Sequence, residues 1–176
     1  MKNALFAVVA AGALAGLANA DVVISFGDQS YGGGDFQSVT SPGLTGTLTG
    51  MIISFQYEPL NSDTFGADVA GVVGTEQWGG YNNAGGTLIG GATVRLGGNG
   101  LPPLSGPWNF TSGVLSLTNT VFNGETTNVT IGNGYLFGAF DLSNATITLV
   151  GVNAVPTPGA AAVLGLAGLA GFRRRR

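Results

Sequence analysis

Glycine breaks this chain at short intervals, and that punctuation constrains its fold more than any other feature. Thirty-two of 176 residues are glycine, set between clusters of β-branched and aromatic residues. Glycine at this level also marks disordered chains, but its alternation with apolar clusters indicates a turn-dense all-β domain. The longest strand candidate is TGTLTGMIISFQY at 45–57, where Met51, Ile53, Phe55 and Tyr57 share one parity. That is the period of a half-buried strand. Shorter candidates lie at 22–26, 68–73, 87–95, 114–122, 128–131, 135–140 and 145–150. Turn-rich stretches separate them, among them NNAGG at 82–86, GGNG at 97–100 and LPPLSGP at 101–107. Asn-Gly pairs at 123–124 and 133–134, each between β-like runs, predict hairpins. Eight or nine short strands without a convincing helix predict a single β-sandwich of jelly-roll type.

Charge and missing chemistry narrow the function. Between Asp21 and Pro158 the lone cation is Arg95, against nine carboxylates, a net of −8. Such a surface repels phosphate backbones, which excludes nucleic acid as a partner. The chain has no cysteine and no histidine. It therefore has no disulfide framework, no thiol nucleophile, no histidine-ligated metal and no imidazole base. No lysine stands in the central segment to replace that base, so serine hydrolysis has no support. Two carboxylates suffice for glycoside hydrolysis, yet nothing in the sequence marks one pair among nine. The expectation is a domain that is not an enzyme.

Both ends read as processing segments. Residues 1–20, MKNALFAVVAAGALAGLANA, have the secretory plan of a positive start at Lys2, an apolar run and the small-x-small site Ala18-Asn19-Ala20. The mature chain would begin at Asp21 and its domain would span 21–153. The last segment, 154–176, holds Val155-Pro156-Thr157-Pro158-Gly159, then an apolar run from Gly159 to Phe172, then Arg173, Arg174, Arg175 and Arg176. As a short helix the apolar run rises about 21 Å, less than the ~30 Å hydrocarbon core, so its membrane insertion is marginal and transient. Four arginines hold the tail on the cytoplasmic side. The prolines deny the backbone its donors and keep it extended, accessible to a protease.

Motif, apolar helix and terminal arginines in this order resemble a PEP-CTERM sorting signal, with Thr157 where that family has glutamate. The resemblance implies an exported bacterial protein, cut near the motif by an exosortase-type membrane protease and delivered to the cell surface or extracellular matrix. A looser likeness covers most of the domain. SDTFGADVAGVV at 62–73, QWGGYNN at 77–83, PWNF at 107–110, NGYLFGAFDL at 133–142 and ATITLVGV at 145–152 follow an order similar to galactose-binding-like and P-domain-like jelly rolls.

Three groups of residues are candidates for binding. Trp78 and Tyr81 flank a Gly-Gly pair and precede Asn82, an arrangement that on an exposed platform would stack on sugar rings and bond their hydroxyls. The competing role of Trp78 is a core plug. Asp28, Asp35, Asp63 and Asp68 fall near turns, where carboxylates either cap backbone or hold calcium. Their spacing is that of no calcium loop, and Asp68 suits a buried structural acid. No cofactor is expected beyond a conceivable structural calcium. The expected role is structural or adhesive among exopolysaccharides, with a carbohydrate-binding module as the alternative and a glycoside hydrolase behind it.

Overall fold

The computed structural model describes residues 9–10, 21–61, 68–79, 107–134 and 137–156. They form ten strands and no helix: β1 Val9–Ala10, β2 Val22–Gly32, β3 Phe36–Thr40, β4 Leu44–Pro59, β5 Val69–Val73, β6 Glu76–Gly79, β7 Trp108–Thr111, β8 Leu115–Asn123, β9 Asn128–Asn133 and β10 Ala139–Ala154. The first sheet has the order β1-β2-β10-β4, with β7 and β8 sharing the far edge of β4. The second has the order β3-β9-β5-β6. Every pairing is antiparallel. The described residues are all-β, as the glycine punctuation and period-two runs predict.

Alternation sets the two faces of each strand. Along β4, Met51, Ile53, Phe55 and Tyr57 are buried while Ile52, Ser54 and Gln56 are partly open. Val22, Ile24 and Phe26 of β2 and Ile147 and Leu149 of β10 turn the same way. They meet Val39, Val129, Ile131, Val69 and Val73 of the second sheet in one core. Each such side chain contributes about 1.5–3 kcal/mol on burial, so a sandwich without disulfides is sustained by its core alone.

Two long strands, β4 and β10, form the spine, and both are bent. Gly46 (φ +107°) and Gly151 (φ +90°) stand together where their ladder shifts register. A Cβ on Gly46 would lie 2.8 Å from the Gly151 carbonyl oxygen, so only glycine permits this kink. A second bulge falls at Asn144 (φ 53°), where Ala145 pairs with Gly27. It explains why one strand spans what the sequence divides into candidates at 135–140 and 145–150. The pleat slips at Ser143-Asn144 and resumes.

Several expectations need correction. Asn123-Gly124 leads from β8 in the first sheet to β9 in the second, and Asn133-Gly134 leads out of β9 toward β10 in the first. Both pairs turn corners between sheets and close no hairpin. The tight hairpin is β5–β6, through Gly74-Thr75, with Val73 opposite Glu76. Strands β3, β6 and β7 fall in stretches where the sequence offers no strand candidate. The strand expected at 87–95, the apolar helix and the secretory segment outside Val9–Ala10 lie outside the described residues.

Two buried serines join the pieces. Ser112, between β7 and β8, accepts from Ile53 N at 2.9 Å through its hydroxyl and donates its own N–H to Ile53 O at 2.9 Å. Ser41, after β3, accepts from Thr127 N at 2.9 Å and donates to Pro42 O at 2.8 Å.

Candidate functional site

The outer face of the first sheet carries a row of hydroxyls. Ser25 on β2 pairs with Thr146 on β10, Thr146 with Ser54 on β4, and Ser54 with Thr111 on β7. Strands lie about 4.8 Å apart, so the row spans roughly 15 Å. Ser54 Oγ and Thr111 Oγ1 are 3.0 Å apart and share a hydrogen bond. In the next row Thr148 stands between Val23 and Ile52. The outer face of the second sheet repeats the chemistry. Thr40 donates to Asn128 Oδ1 at 3.0 Å, and Thr130 to Ser38 Oγ at 3.1 Å.

Toward one end of the first sheet the hydroxyl row gives way to acids. Asp28, Gln29, Ser30, Asp141, Leu142 and Ser143 line an open, polar groove of about 170 Å³. Ser30 donates to Asp141 Oδ1 at 2.5 Å, while Asp28 Oδ1 accepts from Asn144 N at 2.9 Å. On the other side of Asp141 its direct cross-strand partner is Glu58. The described residues include eight carboxylates and no lysine, arginine or histidine.

Beneath that end the core itself becomes polar. Tyr31 donates to Gln37 Oε1 at 3.2 Å and its ring tilts against Phe140, which also meets Tyr57. Asp68 is 9% exposed and Asn133 is fully buried. Burial pushes the Tyr31 phenol well above its ordinary value. Tyr57 is raised likewise, by burial first and by the negative charge of Asp68 second. The two phenols therefore stay neutral at any physiological pH.

The sequence candidates fall as follows. Trp78 is fully buried as part of the core, so it offers no exposed face of the kind its candidate glycan-binding role needs. Its indole fills the space over Gly71, its partner across the β5–β6 hairpin, and the plug role stands in its place. Its Nε1 has no hydrogen-bond partner among the described residues. Tyr81, Asn82, Asp63 and Arg95 lie outside the described residues, as do Ala18, Ala20, Thr157, Pro158, Gly159 and Arg173 to Arg176. Asp28 caps the β10 bulge, and Asp35 Oδ2 accepts from Gly32 N at 2.9 Å. Both act as backbone caps. Among the described residues no group of three or more carboxylates is placed to hold a metal ion. Val155 and Pro156 follow directly on β10 and are exposed, and Val155 N donates to Gly43 O at 2.7 Å.

Sequence reasoning missed the hydroxyl row and the groove. The row had a signal, since Ser25, Ser54, Thr146 and Thr148 alternate with apolar residues. Which strands would lie side by side had none. The groove depends on a bulge that no local pattern announces. Chemically, Ser30 and Asp141 form a hydroxyl–carboxylate pair with no imidazole or ammonium beside it among the described residues. The outer faces offer neutral donors and acceptors. In comparisons with protein-family models, with curated proteins and with solved structures, nothing matches this chain.

Proposed function

We propose that this chain is an exported bacterial surface or extracellular-matrix protein with a structural or adhesive role among exopolysaccharides. Its N-terminal 20 residues are removed on export. Its tail enters the membrane transiently and is cut by an exosortase-type protease. The observation that carries this reading is the sequence of the tail: Val155 to Gly159, then the apolar run, then Arg173 to Arg176. The position of the motif supports it. Among the described residues the last backbone tie is made by Val155, and Pro156 is exposed. A cut just beyond would release the domain with every residue of β10 in place.

The jelly-roll form of the sandwich is part of the proposal. In favour of it, β2, β10, β4 and β8 are the successive neighbours of one sheet and β3, β9, β5 and β6 of the other. The chain passes back and forth between the sheets as two Greek keys require. The matrix role draws on the outer faces, whose hydroxyls and amides, with no cation beside them among the described residues, match hydrated polysaccharide. It is a non-enzymatic role, and the burial of Trp78 weighs against the alternative of an aromatic sugar-stacking module.

The test is the intact mass of the protein recovered from the envelope and medium of its native host. A species beginning at Asp21 and ending within 156–159 is expected. A species still ending at Arg176, found in membranes alone, would overturn the sorting reading.

A further inference from the structure

In the structure the outer edge of β2 is occupied by the segment that export would remove. Val9 pairs with Ile24 and Ala10 with Val23. Among the described residues no other strand lies on that edge. We propose that loss of residues 1–20 bares this edge and that a second copy of the chain takes the vacated place, β2 to β2 and antiparallel, about a twofold axis at Ile24. The inference rests on the export reading above, because the edge is vacated by the same cut.

Of the sheet edges described, β2 is the one suited to pairing. Strands β3, β6 and β7 have five, four and four residues. Strand β8 bulges between the residues facing Leu48 and Gly50, a device that turns an edge away from partners. By contrast Val22-Val23-Ile24-Ser25-Phe26 contains no charge, proline or glycine. An exposed edge of that kind is a template for strand addition.

The segment is also complementary to itself. With Ile24 opposite Ile24, Val22 meets Phe26 on the buried face, and Val23 meets Ser25 on the outer face. The residues that line each core, Val22, Ile24 and Phe26, then continue the core of the partner. Asp21 falls opposite Gly27, so no carboxylates oppose each other. Asp28 falls opposite position 20, which the cut removes. The α-ammonium that cleavage creates at Asp21 of one copy thus arrives beside Asp28 of the other. In a domain almost without cations, maturation supplies the charge as it clears the edge. Asp21 Oδ1 accepts from Gly151 N at 3.2 Å, which holds the new terminus at the start of the strand.

The test is sedimentation and native mass of the mature protein from the host, with both termini read by intact mass on the same sample. Five paired residues per copy make a small interface, so association is measured over about 1–500 µM. A species starting at Asp21 that doubles in mass across this range supports the proposal. A species starting at Asp21 that stays monomeric overturns it and leaves the export reading intact. A species retaining residues 1–20 overturns both. The double variants Val23→Lys/Ser25→Lys and Val23→Glu/Ser25→Glu put like charges opposite one another across the axis. Each alone should be monomeric with an unchanged melting profile, and an equimolar mixture should dimerise. Dimers that persist in either variant alone would place the contact elsewhere. Asp28→Asn, which keeps the oxygen facing Asn144, should weaken association about 1.5- to 5-fold.

Discussion

The indole of Trp78 rests on Gly71: a Cβ added to that glycine would stand 2.5 Å from Cζ2 and 2.7 Å from Cε2 of the ring. The glycine is also pressed against the Thr130 carbonyl of β9, so neither neighbour has room to retreat. Gly71→Ala is expected to destabilise the domain by about 3 kcal/mol or more, at the upper end of overpacking costs. Trp78→Ala removes the largest fully buried side chain among the described residues and should cost about 3–5 kcal/mol. Urea unfolding of the two variants checks both figures. A near-neutral Trp78→Ala would return the residue to the surface role that its position beside two glycines suggests.

That pair also shows what could be read from the chain and what could not. Alternation over 51–57 marks the central strand plainly, because a strand buried on one face must repeat every second residue. FQSVT, EQWG and WNFT carry no such mark. They are short edge strands: Val39 and Trp78 are the core side chains of the first two and Phe110 packs on the core from the third, too few to show a period, and their pairing is set by distant partners. Asn-Gly at 123–124 and 133–134 is local turn chemistry, legible as a turn. Whether a turn closes a hairpin or crosses to the other sheet depends on tertiary contacts those residues do not make. Trp78 has the same ambiguity, and only Gly71 on the neighbouring strand decides it.

Alkaline pH should unfold the domain through its buried phenols. Tyr31 and Tyr57 both have folded-state values raised above the usual 10.0. Their contribution is therefore complete below pH 10 and is lost as pH climbs past it, because the unfolded chain releases protons that the native state retains. The slope is about 1.4 kcal/mol per pH unit for each phenol. Stability measured by urea unfolding from neutral pH upward should be level and then fall above pH 10. Tyr31→Phe should remove about half of that slope.

Ser112 should behave as part of a strand, though it lies between two. Its hydroxyl accepts from Ile53 N in the middle of the core sheet. Ser112→Ala leaves that buried donor without it and should cost about 1–3 kcal/mol. Hydrogen exchange at the Ile53 amide is the sharper readout, since protection there should fall while the rest of β4 changes little.

Glu58 stands directly opposite Asp141 across the β4–β10 ladder, and like charges so placed oppose pairing. Glu58→Lys should turn this into a favourable cross-strand pair and raise stability by about 0.2–1 kcal/mol. The gain should shrink as salt is added, because Glu58 is exposed and its interactions are screened. A gain independent of salt would point to a cause other than charge.

The end of β10 defines how much tail the domain can lose. Val152 is fully buried and pairs with Gly46, while Ala154 pairs with Leu44. Beyond Val155, whose N–H reaches Gly43 O, the chain is exposed at Pro156. A chain ending at Pro156 should melt as one ending at Pro158 does. A chain ending at Val150 loses Val152 from the core, worth about 1.5–3 kcal/mol by burial alone, and loses the rungs that cover Leu44. Its melting temperature should drop clearly. If both truncations melted alike, the last turn of the ladder would be dispensable. The site of processing would then have no structural reason to lie where the proline motif stands.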